Sequence, residues 1–174
     1  MSALTWAVTA VVGDEAGRVL LCRRSGGMPR WGLPGGRLRH DESPADAAVR
    51  AIRAETGWLV ELVDLVGLYR VTDPTAPAPP AGRCGPLPDV LVHVFRARVV
   101  GGAPAGEAAR GCHPEWYPSD ALPGALTPAT RAAVTDALAG RSGVLRVTPT
   151  ADGSVGGGAP PGQRSSGELG TGRR

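Results

Sequence analysis

The sequence predicts an α+β domain, and three observations carry that reading. Apolar and β-branched runs of strand length recur at residues 4–12, 19–22, 60–69 and 90–100. Residues 45–56 and 129–139 contain neither glycine nor proline, and each stretch follows a hydroxyl residue and a proline, the order in which helices begin. At 174 residues and 42% apolar, the chain can bury one good core and has no room for a second catalytic domain.

Taken in order, residues 4–12 alternate loosely between apolar and small side chains, and residues 19–22 follow the turn-like Asp14-Glu15-Ala16-Gly17, so the two runs read as an antiparallel hairpin. Arg23 and Arg24 close the second run, and Trp31-Gly32-Leu33-Pro34-Gly35 comes next. Ser43 offers a side-chain acceptor to orphan N–H groups, Pro44 suits the first helical position, and Asp46 lies near the positive end of the dipole; a helix starts at Ser43 or Pro44. Its alanine-rich body runs about three turns. Gly57 can take the left-handed conformation that ends it. Residues 60–69 read as a strand with a bulge or bend at Gly67.

The proline-rich residues 72–88 cannot donate a continuous ladder and read as a long surface loop, in which Arg83 is either an anion contact or an ordinary solvated residue. Residues 90–100 form a buried strand in which His93 reads as a core side chain and not as a ligand. Glu115-Trp116-Tyr117 supplies a further strand. Thr127 caps the second helix, with Pro128 at its first position and Gly140 beyond its end.

One stretch carries chemistry. Residues 36–58 read GRLRHDESPADAAVRAIRAETGW, and Gly36, Glu42, Arg50, Ile52, Glu55, Gly57 and Trp58 fall in register on G-x5-E-x7-R-E-U-x-E-E-x-G-U, where U is apolar. That pattern is the Nudix box, and the chain resembles the Nudix hydrolases over residues 4–140. The resemblance implies a Nudix-type α/β/α sandwich with a mixed central sheet in a domain spanning residues 1–140. It also implies cleavage of a diphosphate linkage in a phosphorylated small molecule with the help of Mg2+, or of Mn2+ in its place. Ala51 and Ala54 stand where the box has two of its glutamates. Positions 51, 54 and 55 lie three and four residues apart and share a helix face, so this degenerate box leaves Glu55 as its metal ligand there. A methyl in place of a carboxylate removes both a ligand and a proton acceptor.

Carried over residue by residue, the resemblance makes Glu55 and Glu42 the catalytic carboxylates, with Glu42 in an auxiliary role. Arg50 takes the place of the box arginine, which orients a neighbouring carboxylate, although Asp46, one turn back, is a competing partner. Gly35 and Gly36 would present backbone to the substrate, Arg23 or Arg24 would contact phosphate, and Trp31 would stack on a planar group. Tyr69, Trp116 and Tyr117 are further stacking surfaces, and Trp58 and Phe95 read as core. A missing base would come from Asp41, Glu115 or an acid on another loop.

Charge excludes one class of partner. Residues 1–140 hold 14 arginines against 14 acids, so the net charge of +3 rests wholly in residues 141–174, a glycine-, proline- and arginine-rich tail that reads as disordered. A neutral domain argues against specific nucleic-acid binding. Cys22, Cys84 and Cys112 are odd in number and lack paired metal spacing, so they read as reduced structural thiols. With no signal-like or membrane-spanning run, the expected compartment is the cytoplasm. Family likeness further implies a homodimer.

Three functions remain open at this point. The first is a diphosphate hydrolase with altered metal use. The second is a catalytically silent protein that keeps the ligand cleft, and the third is a metal-free enzyme of specialised metabolism built on that cleft.

Overall fold

The computed structural model describes residues 5–24, 30–72, 90–104 and 112–149; the expected loop with Arg83, the residue Cys84, the side chain of Arg24 and everything from residue 150 onward lie outside them. The hairpin forms as β1 (Thr5–Gly13) and β2 (Arg18–Arg24). Asp14 closes its turn by accepting the N–H groups of Ala16 and Arg18, and Gly17 sits at φ 73°. Two short strands follow, β3 (Arg30–Gly32) and β4 (Gly35–Arg37), then α1 (Pro44–Thr56), β5 (Trp58–Thr72), β6 (Val90–Gly102), β7 (Cys112–Pro118), α2 (Pro128–Leu138) and β8 (Val144–Pro149).

The strands form one mixed sheet in the order β3-β2-β1-β6-β5-β8, with β4 paired to β1 and β7 to β2. β1 runs parallel to β6 and β5 parallel to β8, and the other pairings are antiparallel. Side chains alternate between the two faces. Val8, Ala10 and Val12 of β1 and Leu20 of β2 face Ala47, Ala48, Ala51 and Ile52 of α1. Val11, Val19 and Leu21 face the other way, toward Ala133, Val134 and Ala137 of α2. This is the expected α/β/α sandwich.

Both helices start as the sequence reads. The Ser43 side chain accepts from the Asp46 N–H, Thr127 does the same for Thr130, and Gly57 ends α1 at φ 80°. Gly67 lies at a register shift in β5, and a Cβ there would come within 2.1 Å of the Val144 carbonyl oxygen, so the bend is also the place where β8 docks.

Two expectations need correction. The tail does not begin at residue 141, because residues 144–149 add β8 to the sheet alongside β5. Its docking rests on Asp136 of α2, which is fully buried and accepts from Tyr69 Oη at 2.7 Å, Arg141 Nη1 at 2.9 Å, and Nε and Nη2 of Arg146 at 2.5 and 2.6 Å. Composition hid this strand because Leu145 and Val147 point outward and only Thr148 is buried. Nor are the cysteines all reduced thiols: Cys22 on β2 and Cys112 on β7 form a disulfide, with Cα atoms 5.3 Å apart. No helix among the described residues is long and apolar enough to cross a membrane.

Candidate functional site

The loop entering α1 is fixed by one carboxylate. Glu42 accepts Arg50 Nε at 2.7 Å and a second, shorter bond from the same guanidinium, and it also accepts the Arg39 N–H at 2.9 Å. Arg50 donates further to the Arg37 carbonyl. The Arg50 hydrogen bond, against the opposing effect of desolvation, holds the Glu42 carboxyl down to about 2; the Arg39 N–H and the Arg50 charge add to it. The same contact raises Arg50. Glu42 is therefore a permanent anion and a weak proton acceptor, suited to locking the loop onto the helix. The competing Asp46 is otherwise engaged, with the Ser43 hydroxyl donating to it at 2.7 Å.

Glu55 sits on the buried side of α1, 6% exposed, beside Ala51 at 5%, whereas Ala54 is exposed. The face expected to unite positions 51, 54 and 55 is thus divided, with 54 turned to solvent. Gly35 N–H donates to Glu55 Oε2 at 2.8 Å. The two glycines of β4 make that approach possible: a Cβ on Gly35 would fall 2.1 Å from the Val8 carbonyl oxygen, and one on Gly36 would fall 3.1 Å from the Ala51 methyl.

Across from α1, strand periodicity turns Cys22 to the same face as Leu20. One carboxylate oxygen of Glu55 and the sulfurs of Cys22 and Cys112 all lie within 4.8 Å of one another, and all three residues are buried. Among the described residues, this is the grouping of three side chains able to ligate a metal. Magnesium fits it poorly. That ion demands near-octahedral oxygen coordination and keeps several waters, whereas this donor set is two sulfurs and one carboxylate beside a buried methyl.

The other candidates are spread along the rim. Arg23 is exposed at the end of β2, paired in register with Trp31. Trp31 is half-buried, packs edge-on against Tyr117 with ring centroids 4.9 Å apart, and exchanges backbone hydrogen bonds with Ala125 and Thr127, so it anchors β3 to the start of α2. Glu115 accepts the Tyr117 hydroxyl at 2.9 Å, and Asp41 pairs with His40 in open solvent. Trp116 packs edge-on against Trp58, and Phe95 is core. His93 is half-buried and stacks on Trp6; its Nδ1 has no hydrogen-bond partner among the described residues.

Two cavities flank the glycine strand. An apolar pocket of about 150 Å³ lies between β1, β5, β6 and the start of α2, lined by Thr9, Leu33, Tyr69, Val92, Val94 and Thr130 among others. Thr9 is in register with Gly35, but its side chain faces α2, so this pocket lies across the sheet from α1 and Glu55. A more open cleft of about 540 Å³ beside Glu42 is lined by Trp6, Arg37, Arg39 and His40. Sequence reasoning missed the Cys22–Cys112 pair and the pocket at α2. Cysteines 90 residues apart carry no pairing signal in their spacing. The one available hint was Cys22 continuing the inward alternation of Leu20.

Comparison with known proteins places this geometry. The sequence model of the NUDIX domain matches residues 3–137. Fifty residues are 40% identical to the RNA pyrophosphohydrolase of Saccharophagus degradans, 29% of this chain and 29% of that protein. Forty-eight residues are 46% identical to a putative 8-oxo-dGTP diphosphatase of Bacillus subtilis, 28% of this chain and 32% of that one. Each match thus spans about a third of the curated relative or less. Among solved structures, a MutT NUDIX hydrolase from Burkholderia pseudomallei superposes with a TM-score of 0.63 at 26% identity, covering 78% of this chain and 98% of that one. A NUDIX hydrolase from Nitrosomonas europaea shares the fold, with a TM-score of 0.60 at 22% identity over 81% and 93% of the two chains.

Proposed function

The chain belongs to the NUDIX domain family, and from that membership we propose that it hydrolyses a diphosphate linkage in a nucleotide or other phosphorylated small molecule, with a metal use that departs from the family's. The observation that carries the reading is the placement of Glu55: buried on α1 and oriented by the Gly35 N–H at 2.8 Å. The relatives named an RNA pyrophosphohydrolase and a putative 8-oxo-dGTP diphosphatase favour a nucleotide as substrate.

In this proposal Glu55 is the catalytic carboxylate, and Glu42 with Arg50 holds the loop that leads into its helix. Gly35 and Gly36 bring backbone close, Arg23 or Arg24 meets a phosphate oxygen, and Trp31 stacks on a planar group of the substrate. Nudix hydrolases generally use divalent metals such as Mg2+. Magnesium or manganese at Glu55 is what the box implies, but the sulfur-bearing surroundings do not fit such an ion, so no step is assigned to it. The proposal also takes in a cytoplasmic setting and a homodimer, the latter checked by sedimentation.

The test is release of monophosphate from a panel of nucleotide sugars and nucleoside triphosphates, with Mg2+ and Mn2+ supplied in turn. We expect Glu55→Gln to lower kcat about 100-fold or more. An unchanged kcat would remove Glu55 from the mechanism. A second reading, a silent ligand-binding protein, draws support from the Ala51 methyl packed against Gly36 where a carboxylate would stand. Calorimetric binding of a nucleotide with no turnover for any member of the panel would favour it.

A further inference from the structure

The misfit with magnesium points to a different cation. We propose that Cys22, Cys112 and Glu55 form a thiolate–carboxylate site that takes a thiophilic divalent cation, zinc foremost, once the Cys22–Cys112 bond is reduced. The inference goes beyond the hydrolase reading and does not depend on it, because it rests on the donors alone.

Three features support it. The donor atoms lie within 4.8 Å of one another, and the residues that carry them are 0%, 1% and 6% exposed, so a metal there would be shielded from competing water. Two sulfurs and a carboxylate oxygen are the donors that tetrahedral zinc accepts, with an open fourth position when only three protein ligands are present. The Gly35 N–H at 2.8 Å orients the Glu55 carboxylate, as hydrogen-bond donors behind metal ligands do. Zn–S bonds of about 2.3 Å in a tetrahedron put the sulfurs about 3.7 Å apart. Cα atoms 5.3 Å apart allow that separation by side-chain rotation.

The chemistry balances with a dithiol as reductant. Two electrons and two protons pass from the dithiol to the Cys22–Cys112 bond, giving two thiols and the dithiol's own disulfide. Zinc then binds two thiolates and the carboxylate, releasing the two thiol protons. Oxidation state thereby selects between a covalent staple joining β2 to β7 and a metal centre beneath α1.

Cobalt is the optical probe. The full chain is reduced with excess dithiothreitol, desalted without oxygen, and titrated with Co2+. One equivalent per chain should raise an intense thiolate-to-cobalt charge-transfer band that Zn2+ abolishes. The oxidised chain, folded and with its cysteines blocked by their own bond, should show none. Cys22→Ser and Cys112→Ser should lose the band, Cys84→Ser should keep it, and Glu55→Gln should weaken cobalt affinity at least about tenfold. A reduced chain that gives no band, whether or not it stays folded by circular dichroism, overturns the proposal; so does a band that survives in the Cys22→Ser/Cys112→Ser double variant. The readout needs no substrate, so a failure to hydrolyse any diphosphate leaves it unaffected.

Discussion

Glu42 and Arg50 are a pair whose value depends on pH in a determined direction. The folded carboxyl is held down to about 2, below its unfolded value, so the unfolded chain binds more protons between the two values and stability rises with pH across that window. The contribution is complete above the ordinary carboxylate range and is lost as pH falls through about 2. Glu42→Gln should therefore be less stable than the parent at neutral pH, and the gap should close on acidification. Urea denaturation of both proteins over a pH series measures it; a gap that persists at the acid end would show that Glu42 acts through packing and not through charge. The sequence left Arg50 between two partners. The outcome turned on geometry that spacing does not encode, because the loop carboxylate meets the guanidinium with both oxygens while Asp46 is occupied by Ser43.

At the scale of elements, β4 is where the candidate site and the fold share the same atoms. Gly35→Ala would put a methyl 2.1 Å from the Val8 carbonyl oxygen, so β4 must part from β1 and the N–H that orients Glu55 moves with it. The expected cost is about 1–3 kcal/mol or more, together with faster amide exchange in residues 7–9, read by hydrogen exchange. A variant as stable as the parent would place β4 farther from β1 than described. α2 is tied down differently. Asp136→Ala would strand the buried Tyr69 hydroxyl, at about 1–3 kcal/mol, while Arg141 and Arg146 turn to water. Tyr69→Phe in the same background should recover part of that loss; if it does not, the hydroxyl was not the group left unpaired. Caps, helix lengths and the first hairpin were legible because local residues decide them: Ser43, Pro44, Gly57, Thr127 and Gly17. The Asp136 cluster was not, since Tyr69 and Asp136 are 67 residues apart and meet only after the sheet has formed.

Over the whole molecule, the box and the strand alternation were enough to read a mixed sheet between two helices. They were not enough to find where the sheet ends or what surrounds Glu55. Both failures have the same origin. Cys22 and Cys112, and likewise Gly67 and Val144, are brought together by pairings between strands far apart in sequence. Such neighbours leave no local periodicity to detect.

The position of β8 bears on how this gene should be cut. A version ending at Gly140, where the composition turns rich in glycine, looks tidy on paper. It would strip β5 of its outer companion, bare a row of main-chain donors and acceptors, and take Arg141 and Arg146 away from Asp136. We expect such a shortened protein to precipitate or to run as large species on gel filtration, and one ending at Pro149 to behave as the full-length chain does. Equal behaviour of the two would mean that the last strand is an ornament on a sheet already finished without it.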